Sequence, residues 1–519
     1  MIKNPVLTGF HADPSMICVD GTFYVANSTF EYFPGVRISA SKDLANWEVV
    51  STPLDRTDYL NMRGNVFSGG IWAPCLSYCD GIFYLVFTDV KTWKLHPFKD
   101  CHNYITTARD IKGPWTEPVY MNSIGFDTSL FHDDDGRKYF LNMEWDFRQP
   151  DGDTFTGILL TEVDPVTFEF IGETKKIFTG TDRKLVEGPH LYKKDGWYYL
   201  LTAEGGTFYE HAATVCRSRN IFGPYELHPK QHIMSAWGHP ENALQKTGHS
   251  SWAQGPDGRW FTAFLCGRPV GDTGRCILGR ETAINEMVWE DDWPYLKNKT
   301  LLADEYFEGY GEKKEQLKKI SYEFGSPKFF QDFQTLRGPI EYALAPDNTL
   351  RIYGAESPFT NMDQALYARR QTDVNFRATT CVEFKFKAFQ QFAALVYRYD
   401  EEQQYIFKMA YDERVGSNTV SIYKYDKARF ENLLGENEIP VDTDKIWLRV
   451  TVHGAVGKFS YSLDGEQYED IDMEIDATIL SDDYVYGFTG AFVGMAAYDL
   501  KDRTSYADFK EFTYEVLDE

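Results

Sequence analysis

The sequence contains five copies of one short pattern, spaced about 60 residues apart. Each copy has a short strand-like run, an Asp-Gly pair and a second run that is rich in aromatic residues. The turn aspartates are Asp20, Asp80, Asp135, Asp195 and Asp257, at intervals of 60, 55, 60 and 62 residues. Asp-Gly between two alternating runs is the strongest short-range signal for a β-hairpin. A hairpin repeated at this period predicts an array of similar β-units.

A second pattern recurs outside the hairpins and extends the repeat. Residues 41–48, 107–115 and 217–225 resemble one another, and we interpret them as outer strands of the same units. Five units with four strands each predict a five-bladed β-propeller over residues 1–305. The alternative is an ordinary β-sandwich with coincidental Asp-Gly turns, which the near-constant spacing of five copies disfavours.

The chain changes character after the last repeat. Residues 306–325 are charged, rich in Lys and Glu and without alternation, and we interpret them as a linker. Residues 326–519 return to short runs with a period of two, bounded by turns, but without the propeller repeat. Such runs predict an antiparallel, concanavalin-like β-sandwich. The predicted fold class is therefore all-β, with two domains.

Composition and charge narrow the class of ligand. Aromatic residues make up 16% of the chain, which suits pleated β-surfaces and excludes a disordered chain. The formal net charge is −25, whereas a nucleic-acid binder needs a basic stripe that displaces counterions. Anionic membrane surfaces and acidic substrates are disfavoured for the same reason. We therefore expect a neutral ligand, no nucleic-acid partner and no membrane partner.

The cysteines bear on the cellular compartment. Eight cysteines are scattered along the chain without a Cys-x-x-Cys pair, and we interpret them as free thiols in a reducing compartment. The sequence shows neither the apolar region of a signal peptide nor an apolar run of about 18 residues. We therefore expect a cytoplasmic protein. We also expect it to form a homo-oligomer, either a dimer or a tetramer.

The repeat places polar residues at equivalent positions near the propeller axis. Counting back eight residues from the turn aspartates gives Trp72, Asp127, Glu187 and His249, and Asp13 stands seven residues before the first turn. Three carboxylates in one pocket are costly to desolvate, and like charges raise at least one pKa. Two carboxylates that flank a bond are the machinery of glycoside hydrolysis. The alternative is that these acids cap turns and serve only the structure.

At these residues the sequence resembles the family 43 glycoside hydrolases, and most closely their two-domain β-xylosidases. The resemblance rests on NPVLTGFHADPS, STFEYFPGV, IWAPCLSY, GFDTSLFHDDDGR, EGPHLY, LGRETA and, in the second domain, GAFVG. It implies an inverting, exo-acting enzyme that releases xylose from the non-reducing ends of β-1,4-xylo-oligosaccharides. By this resemblance, Asp13 is the general base and Glu187 the general acid, while Asp127 orients Glu187 and tunes its pKa.

The resemblance also implies a sugar-binding shell and no organic cofactor. The apolar walls would be Phe30, Trp72, Phe126 and Trp145. Arg280 would bind hydroxyl groups or hold a carboxylate, and Phe492 would reach in from the sandwich and close the pocket. His249 would bind substrate and, through water, a calcium ion at the axis, since this cation prefers oxygen ligands. The alternative is that His249 only makes a hydrogen bond in the core.

Three other functions stay open at this point. An α-L-arabinofuranosidase could use the same three acids, because its glycone places similar hydroxyl groups around the same centre, so that dual activity is expected. A non-catalytic carbohydrate-binding propeller would bind sugar without turnover. A propeller for protein interactions would need an exposed face rather than an acidic axial pocket.

Overall fold

The computed structural model describes residues 1–94, 97–150 and 152–518, which divide into two compact units. The first unit contains residues 1–268 and 280–314, and the second contains residues 269–279 and 315–519. A short excursion of the chain, residues 269–279, therefore belongs to the second unit although it interrupts the last repeat. This excursion was not predicted from the sequence.

The first unit is a five-bladed β-propeller, as the repeat predicted, and each blade is a four-stranded antiparallel sheet built from consecutive strands. The first two blades contain Ser15–Val19, Thr22–Asn27, Arg37–Ser41 and Glu48–Ser51, then Gly70–Cys79, Ile82–Thr92, Asp100–Ala108 and Val119–Tyr120. The third blade contains Ser129–His132, Lys138–Trp145, Phe155–Val163 and Phe170–Phe178. The last two contain Glu187–Lys194, Trp197–Glu204, Ala212–Ser218 and Glu226–Met234, then Gln245–Gln254, Trp260–Gly267, Glu281–Glu290 and Trp293–Leu296.

The Asp-Gly pairs form the turns between the first two strands of the blades. Asp20, Asp80 and Asp195 have φ values of 48°, 52° and 51°, and the following glycines have φ values of 74°, 77° and 76°. Two consecutive left-handed residues are typical of a type I′ turn, whose twist matches that of the strands. The second pattern in the sequence spans the turns between the third and fourth strands, and thus covers strand ends rather than whole outer strands.

Apolar cores lie between neighbouring blades and close the ring. One core joins the last blade to the first through Phe261, Phe23 and Ile284. The N-terminal segment adds to this closure, because the side-chain amide of Asn4 donates hydrogen bonds to the carbonyl oxygens of Ile284 and Asp304. Three short strands stand outside the blades: Ile2–Lys3, Tyr32–Phe33 and Tyr306–Phe307.

The second unit is the predicted antiparallel β-sandwich, with its apolar core made by residues from both sheets. One sheet contains Lys319–Ser321, Tyr342–Ala345, Thr349–Tyr353, Asn375–Glu383, Lys445–His453, Val456–Ser462, Glu469–Asp470, Ile475–Asp476 and Tyr506–Val516. The other contains Phe333–Leu336, Leu366–Arg370, Gln391–Arg398, Gln403–Asp412, Ser417–Asp426, Arg429–Asn432, Ile439–Val441 and Phe492–Asp499.

Helices are short, in keeping with the all-β prediction. The described residues form two α-helices, Pro327–Asp332 and Asp482–Val485, and two 3-10 turns, Gly271–Thr273 and Ala477–Ile479. None of these helices is long and apolar enough to cross a membrane. The predicted linker 306–325 contains two paired strands: Tyr306–Phe307 pairs with Ile2–Lys3, and Lys319–Ser321 pairs with the last strand of the chain.

The core between the last and first blades allows a test of ring closure. The Phe261 ring is fully buried and lies 6.0 Å from the Phe23 ring and 5.8 Å from the Tyr310 ring, measured between centroids. We expect Phe261→Ala to lower the free energy of unfolding by about 3–5 kcal/mol, because it leaves a cavity. Urea unfolding followed by tryptophan fluorescence reports on this unit, since only Trp447 of the 12 tryptophans lies in the second unit. Val166→Ala, at an 81% exposed position, is the control and should change little.

Candidate active site

The five residues that the repeat predicted for the axis all lie within the innermost strands of the blades or up to two residues before them. Asp13 and Asp127 stand two residues before the first strands of their blades, and Glu187 is the first residue of its strand. Trp72 and His249 lie within the innermost strands of the second and fifth blades. Neighbouring innermost strands pack against one another around the axis, so these residues come from all five blades to one region.

The backbone at this region is left-handed at several of these positions. The φ values are 52° at Asp13, 55° at Asp127 and 33° at His249, and Gly188, directly after Glu187, has a φ of 59°. Non-glycine residues rarely adopt this conformation, and such residues cluster at functional sites, where the surrounding structure holds them. The packed blades supply that support, because the Asp13, Asp127 and His249 side chains are all buried.

The Asp13 carboxylate is surrounded by donors. Ser28 Oγ donates a hydrogen bond to Asp13 Oδ2 at 2.6 Å, and Arg280 Nη1 donates to Asp13 Oδ1 at 2.9 Å. His249 Nδ1 lies 3.7 Å from the same Oδ1 atom. Burial by itself would raise the pKa of Asp13, but the Arg280 charge, the nearby His249 ring and the Ser28 hydrogen bond hold it below its ordinary value. Asp13 is therefore a carboxylate at neutral pH.

The pKa values of Glu187 and Asp127 are shifted in the opposite direction, upwards. Burial and the nearby Asp13 charge raise the pKa of Glu187 to about 8, against weaker opposing effects of Arg280 and Lys99. Burial, followed by the Glu187 and Asp13 charges, raises the pKa of Asp127 well above its ordinary value. The backbone N–H of Gly188 donates to Asp127 Oδ2 at 3.0 Å, which ties Asp127 to the residue beside Glu187. The pocket thus holds a charged carboxylate beside carboxyl groups that keep a proton.

His249 packs against the backbone of the fourth blade. A Cβ atom at Gly188 would lie 3.0 Å from Cε1 of the His249 ring, so only glycine leaves room for this contact. Burial lowers the pKa of His249, which favours a neutral ring despite the Asp13 charge. The nearest carboxylate oxygen already receives the Arg280 hydrogen bond. Among the described residues no group of three His, Cys, Asp or Glu side chains is placed to hold a metal ion, and this donor set does not fit direct calcium ligation.

Aromatic rings form a continuous wall beside the carboxyl groups. The Trp72 ring lies 6.0 Å from the Phe30 ring and 5.2 Å from the Phe126 ring, between centroids. The Phe126 ring in turn lies 6.3 Å from the Trp145 ring. Hydrogen bonds from Trp72 Nε1 to the Ser68 carbonyl oxygen and from Trp145 Nε1 to the Pro97 carbonyl oxygen orient the two indoles. All four predicted wall residues therefore lie in one cluster.

Comparison with known proteins identifies the family. Residues 2–294 match the family described as glycosyl hydrolases family 43, and residues 321–515 match the β-xylosidase C-terminal concanavalin A-like domain. The chain belongs to glycosyl hydrolase family 43. The two matches follow the propeller and the sandwich, and the family predicted from the motifs is thereby confirmed.

The family 43 relatives align over nearly the whole chain. A Humicola insolens protein named xylosidase/arabinosidase 43B is 46% identical over 99% of this chain and 97% of its own length. A Bacillus subtilis (strain 168) β-xylosidase is 45% identical over 99% of both chains. The crystal structure of a xylan β-1,4-xylosidase from Bacillus halodurans C-125 has a TM-score of 0.95 at 43% identity, covering 99% of this chain and all of that chain.

Phe492, the predicted residue from the second domain, lies in the other unit. It begins the strand Phe492–Asp499, is fully buried, and its ring centroid is 5.4 Å from the Arg370 guanidinium carbon. Its proposed role in closing the pocket of this family 43 chain stays a prediction.

Several residues of the site were missed from the sequence. Ser28 and Gly188 contact the carboxyl groups directly, and both lie inside motifs that were recognised, one residue after the second strand and one residue after Glu187. Lys99 comes from a charged connection between two strands of the second blade. No repeat or spacing distinguishes Lys99 from a solvent-exposed lysine, so only the fold could reveal it.

The raised pKa of Glu187 makes the stability of the protein depend on pH. Between its ordinary value of 4.5 and about 8, the unfolded chain loses this proton while the folded protein keeps it, so stability falls as the pH rises. Glu187→Gln keeps the shape without the proton, and we expect it to be more stable than the parent at pH 8 by at least about 1.4 kcal/mol. The difference should disappear at pH 4, as measured by calorimetry at both values. The same change at Glu290, which is half exposed, should show no such pH dependence.

Proposed function

We propose that this chain is an exo-acting, inverting β-xylosidase that releases xylose from the non-reducing ends of β-1,4-xylo-oligosaccharides. The observation that carries the proposal is the opposite protonation of two carboxyl groups in one pocket, Asp13 charged and Glu187 protonated at neutral pH. Carboxyl groups whose environments separate their pKa values can serve as base and acid in one reaction. The substrate class follows from the family and from the activities for which the Bacillus subtilis and Bacillus halodurans relatives are named.

Asp13 is proposed as the general base. Its lowered pKa keeps it ionised, so it can accept a proton from a water molecule as the water oxygen attacks the anomeric carbon of the terminal xylose. Arg280 and Ser28 hold the two carboxylate oxygens in fixed directions. In an inverting enzyme the two working carboxyl groups stand about 6.5–9.5 Å apart, which leaves room for this water.

Glu187 is proposed as the general acid. As the bond between the anomeric carbon and the leaving oxygen breaks, Glu187 donates its proton to that oxygen, so the leaving sugar departs as a neutral alcohol. At the end of the step Asp13 carries the proton from water and Glu187 is ionised, and exchange with solvent restores both. Because attack and departure occur on opposite faces, a β-xyloside yields α-xylose.

Asp127 is proposed to support Glu187 rather than to transfer a proton. The hydrogen bond from the Gly188 N–H group connects Asp127 to the backbone beside Glu187, which restricts the direction of the acid. Burial, followed by the Glu187 and Asp13 charges, raises the pKa of Asp127 itself well above its ordinary value, so Asp127 stays protonated beside the acid. His249 and Arg280 complete the polar side of the pocket, where they are proposed to bind sugar hydroxyl groups.

We propose that the enzyme is exo-acting, because a pocket closed by walls admits the end of a xylo-oligosaccharide and not its middle. Phe30, Trp72, Phe126 and Trp145 present apolar surfaces, and aromatic faces pack well against the C–H groups of a sugar ring. We propose that Phe492 completes this wall. The rings leave the polar edge of the sugar to the carboxyl groups, Arg280 and His249.

A second candidate activity is α-L-arabinofuranosidase. The observation that favours it is the name of the Humicola insolens relative, which joins xylosidase and arabinosidase. Both glycones place similar hydroxyl groups around the anomeric carbon, so the same base and acid serve either substrate. A purely carbohydrate-binding propeller is disfavoured, because a binding protein gains nothing from burying three mutually repelling carboxyl groups.

The remaining expectations extend the proposal. All eight cysteines are free, which supports a reducing, cytoplasmic compartment. A calcium ion held by His249 through water remains a predicted support for the site, and no step of the reaction depends on it. The homo-oligomer, a dimer or a tetramer, also remains a prediction.

The stereochemistry of the first product tests the proposed function. We expect proton NMR of the protein with xylobiose, recorded from the first minute, to show α-xylose before mutarotation produces the β-anomer. Early β-xylose would mean that a carboxylate acts as nucleophile and that the proposed roles are wrong. If xylobiose is not cleaved, an arabinofuranoside is the next substrate, and binding without turnover of either would support the carbohydrate-binding alternative.

Two variants separate the roles of the base and the acid. Glu187→Ala should reduce the hydrolysis of xylobiose at least about 100-fold, but reduce much less the hydrolysis of a nitrophenyl xyloside, whose leaving group needs little protonation. Asp13→Ala should reduce both, because the water loses its base. The measurement is kcat/KM for both substrates. Asp134→Ala, at an exposed hairpin tip, is the control, and equal losses on both substrates in Glu187→Ala would remove Glu187 from the role of acid.

A further inference from the structure

Lys99 places an ammonium group among the aromatic rings of the pocket wall. Its Nζ atom lies 4.4 Å from the Trp145 ring centroid, 5.6 Å from both Trp72 and Trp93, and 5.9 Å from Phe126. Three of these four rings are predicted to contact the sugar. The same Nζ atom donates a hydrogen bond to the Trp93 carbonyl oxygen at 3.4 Å. The lysine is thus part of the wall and not a surface side chain that happens to lie near it.

The aromatic rings of this cage stabilise the charged form of Lys99 against the effect of burial. Burial lowers the pKa of Lys99, whereas Cys101 and Glu187 act in the opposite direction. The faces of aromatic rings attract a cation through their quadrupoles, and this attraction grows when the cation is desolvated. Among the described residues no carboxylate oxygen lies within 4 Å of the Lys99 ammonium group, so its charge acts on the pocket across a distance and not through a close ion pair.

Four charged or titratable groups from the other blades interact electrostatically with Glu187. Asp13 of the first blade and Asp127 of the third are carboxyl groups, while Arg280 of the fifth blade and Lys99 of the second are cations. Arg280 is already committed to Asp13 by a hydrogen bond of 2.9 Å. Lys99 is therefore the cation that acts on Glu187 without a hydrogen bond to Asp13.

We propose that Lys99 is a positioning residue for the hydrolytic reaction: the aromatic wall holds its positive charge within the pocket, and this charge lowers the pH up to which Glu187 keeps its proton. The inference rests on the proposed function, because it requires Glu187 to act as the general acid. It adds a role for a residue that belongs to none of the motifs shared with the family.

The sign of the effect follows from electrostatics. A nearby positive charge stabilises the ionised form of Glu187, so removing it makes the acid hold its proton more strongly. The basic limb of the pH profile of kcat/KM reports the loss of the proton from the acid in the free enzyme. Without the Lys99 charge this limb must therefore move to higher pH. The acidic limb, which reports Asp13, should stay in place, since Lys99 is not among the groups that act on Asp13.

The experiment compares three variants of the full chain. Lys99→Met removes the charge and keeps an apolar side chain of similar length in the cage, while Lys99→Arg keeps the charge. Lys138→Met is the matched control: Lys138 is buried, whereas Lys99 is half-buried, and its Nζ atom likewise lies over an aromatic ring, 4.9 Å from Tyr84, but its hydrogen bond goes to His132. The measurement is the pH profile of kcat/KM with a nitrophenyl xyloside and with xylobiose.

We expect the basic limb of Lys99→Met to move up by about half a pH unit or more, with Lys99→Arg and Lys138→Met close to the parent. The position of a limb does not depend on the fraction of folded protein, so partial misfolding of Lys99→Met does not obscure the result, and Lys99→Gln provides a second neutral variant. An unmoved basic limb in both neutral variants, or an equal shift in Lys99→Arg, would overturn the role of Lys99 alone. A parent protein that cleaves neither substrate would overturn the proposed function and this inference together.

Discussion

The burial of three carboxyl groups around one axis is the constraint on which the rest of the site depends. Charges of one sign in a desolvated space cannot all persist, so the protein must neutralise some of them. It does so unevenly: Arg280 and Ser28 stabilise the charge on Asp13, whereas Glu187 and Asp127 retain protons. The difference between a base and an acid thus comes from the placement of the donors around Asp13 and not from the chemistry of the carboxyl groups.

The propeller provides the support that this arrangement needs. Each carboxyl group stands at the inner strand of a different blade, and apolar cores between blades hold those strands in place. Left-handed backbone conformations at Asp13 and Asp127 are unfavourable in isolation and persist because the packing around them leaves no alternative. The aromatic wall has two uses in the same structure: it offers apolar faces to a sugar and holds the cation of Lys99.

The repeat allowed much of the fold and the three carboxyl groups to be predicted. Asp-Gly turns recur because a two-residue hairpin requires them, and a common register then places residues eight positions earlier on the same inner strand. At Asp13 the count back from the turn aspartate is seven residues and not eight. The second pattern, which we interpreted as outer strands, covers the turns between the third and fourth strands. Ser28 and Lys99 escaped prediction because each acts through a contact with a residue distant in sequence, and no local spacing records such a contact.

The sequence by itself determined the all-β class, the five blades, the sandwich and the residues that approach the axis, because these depend on local alternation and on turns that any chain with this pattern must form. Only the tertiary structure decided which carboxyl group is charged, since one donor to Asp13 directly follows the second strand of its own blade and the other comes from the fifth blade. Tertiary structure also placed Lys99 among the aromatic rings and residues 269–279 in the second unit. Protonation depends on distances between residues far apart in the chain, and those distances exist only after the ring has closed.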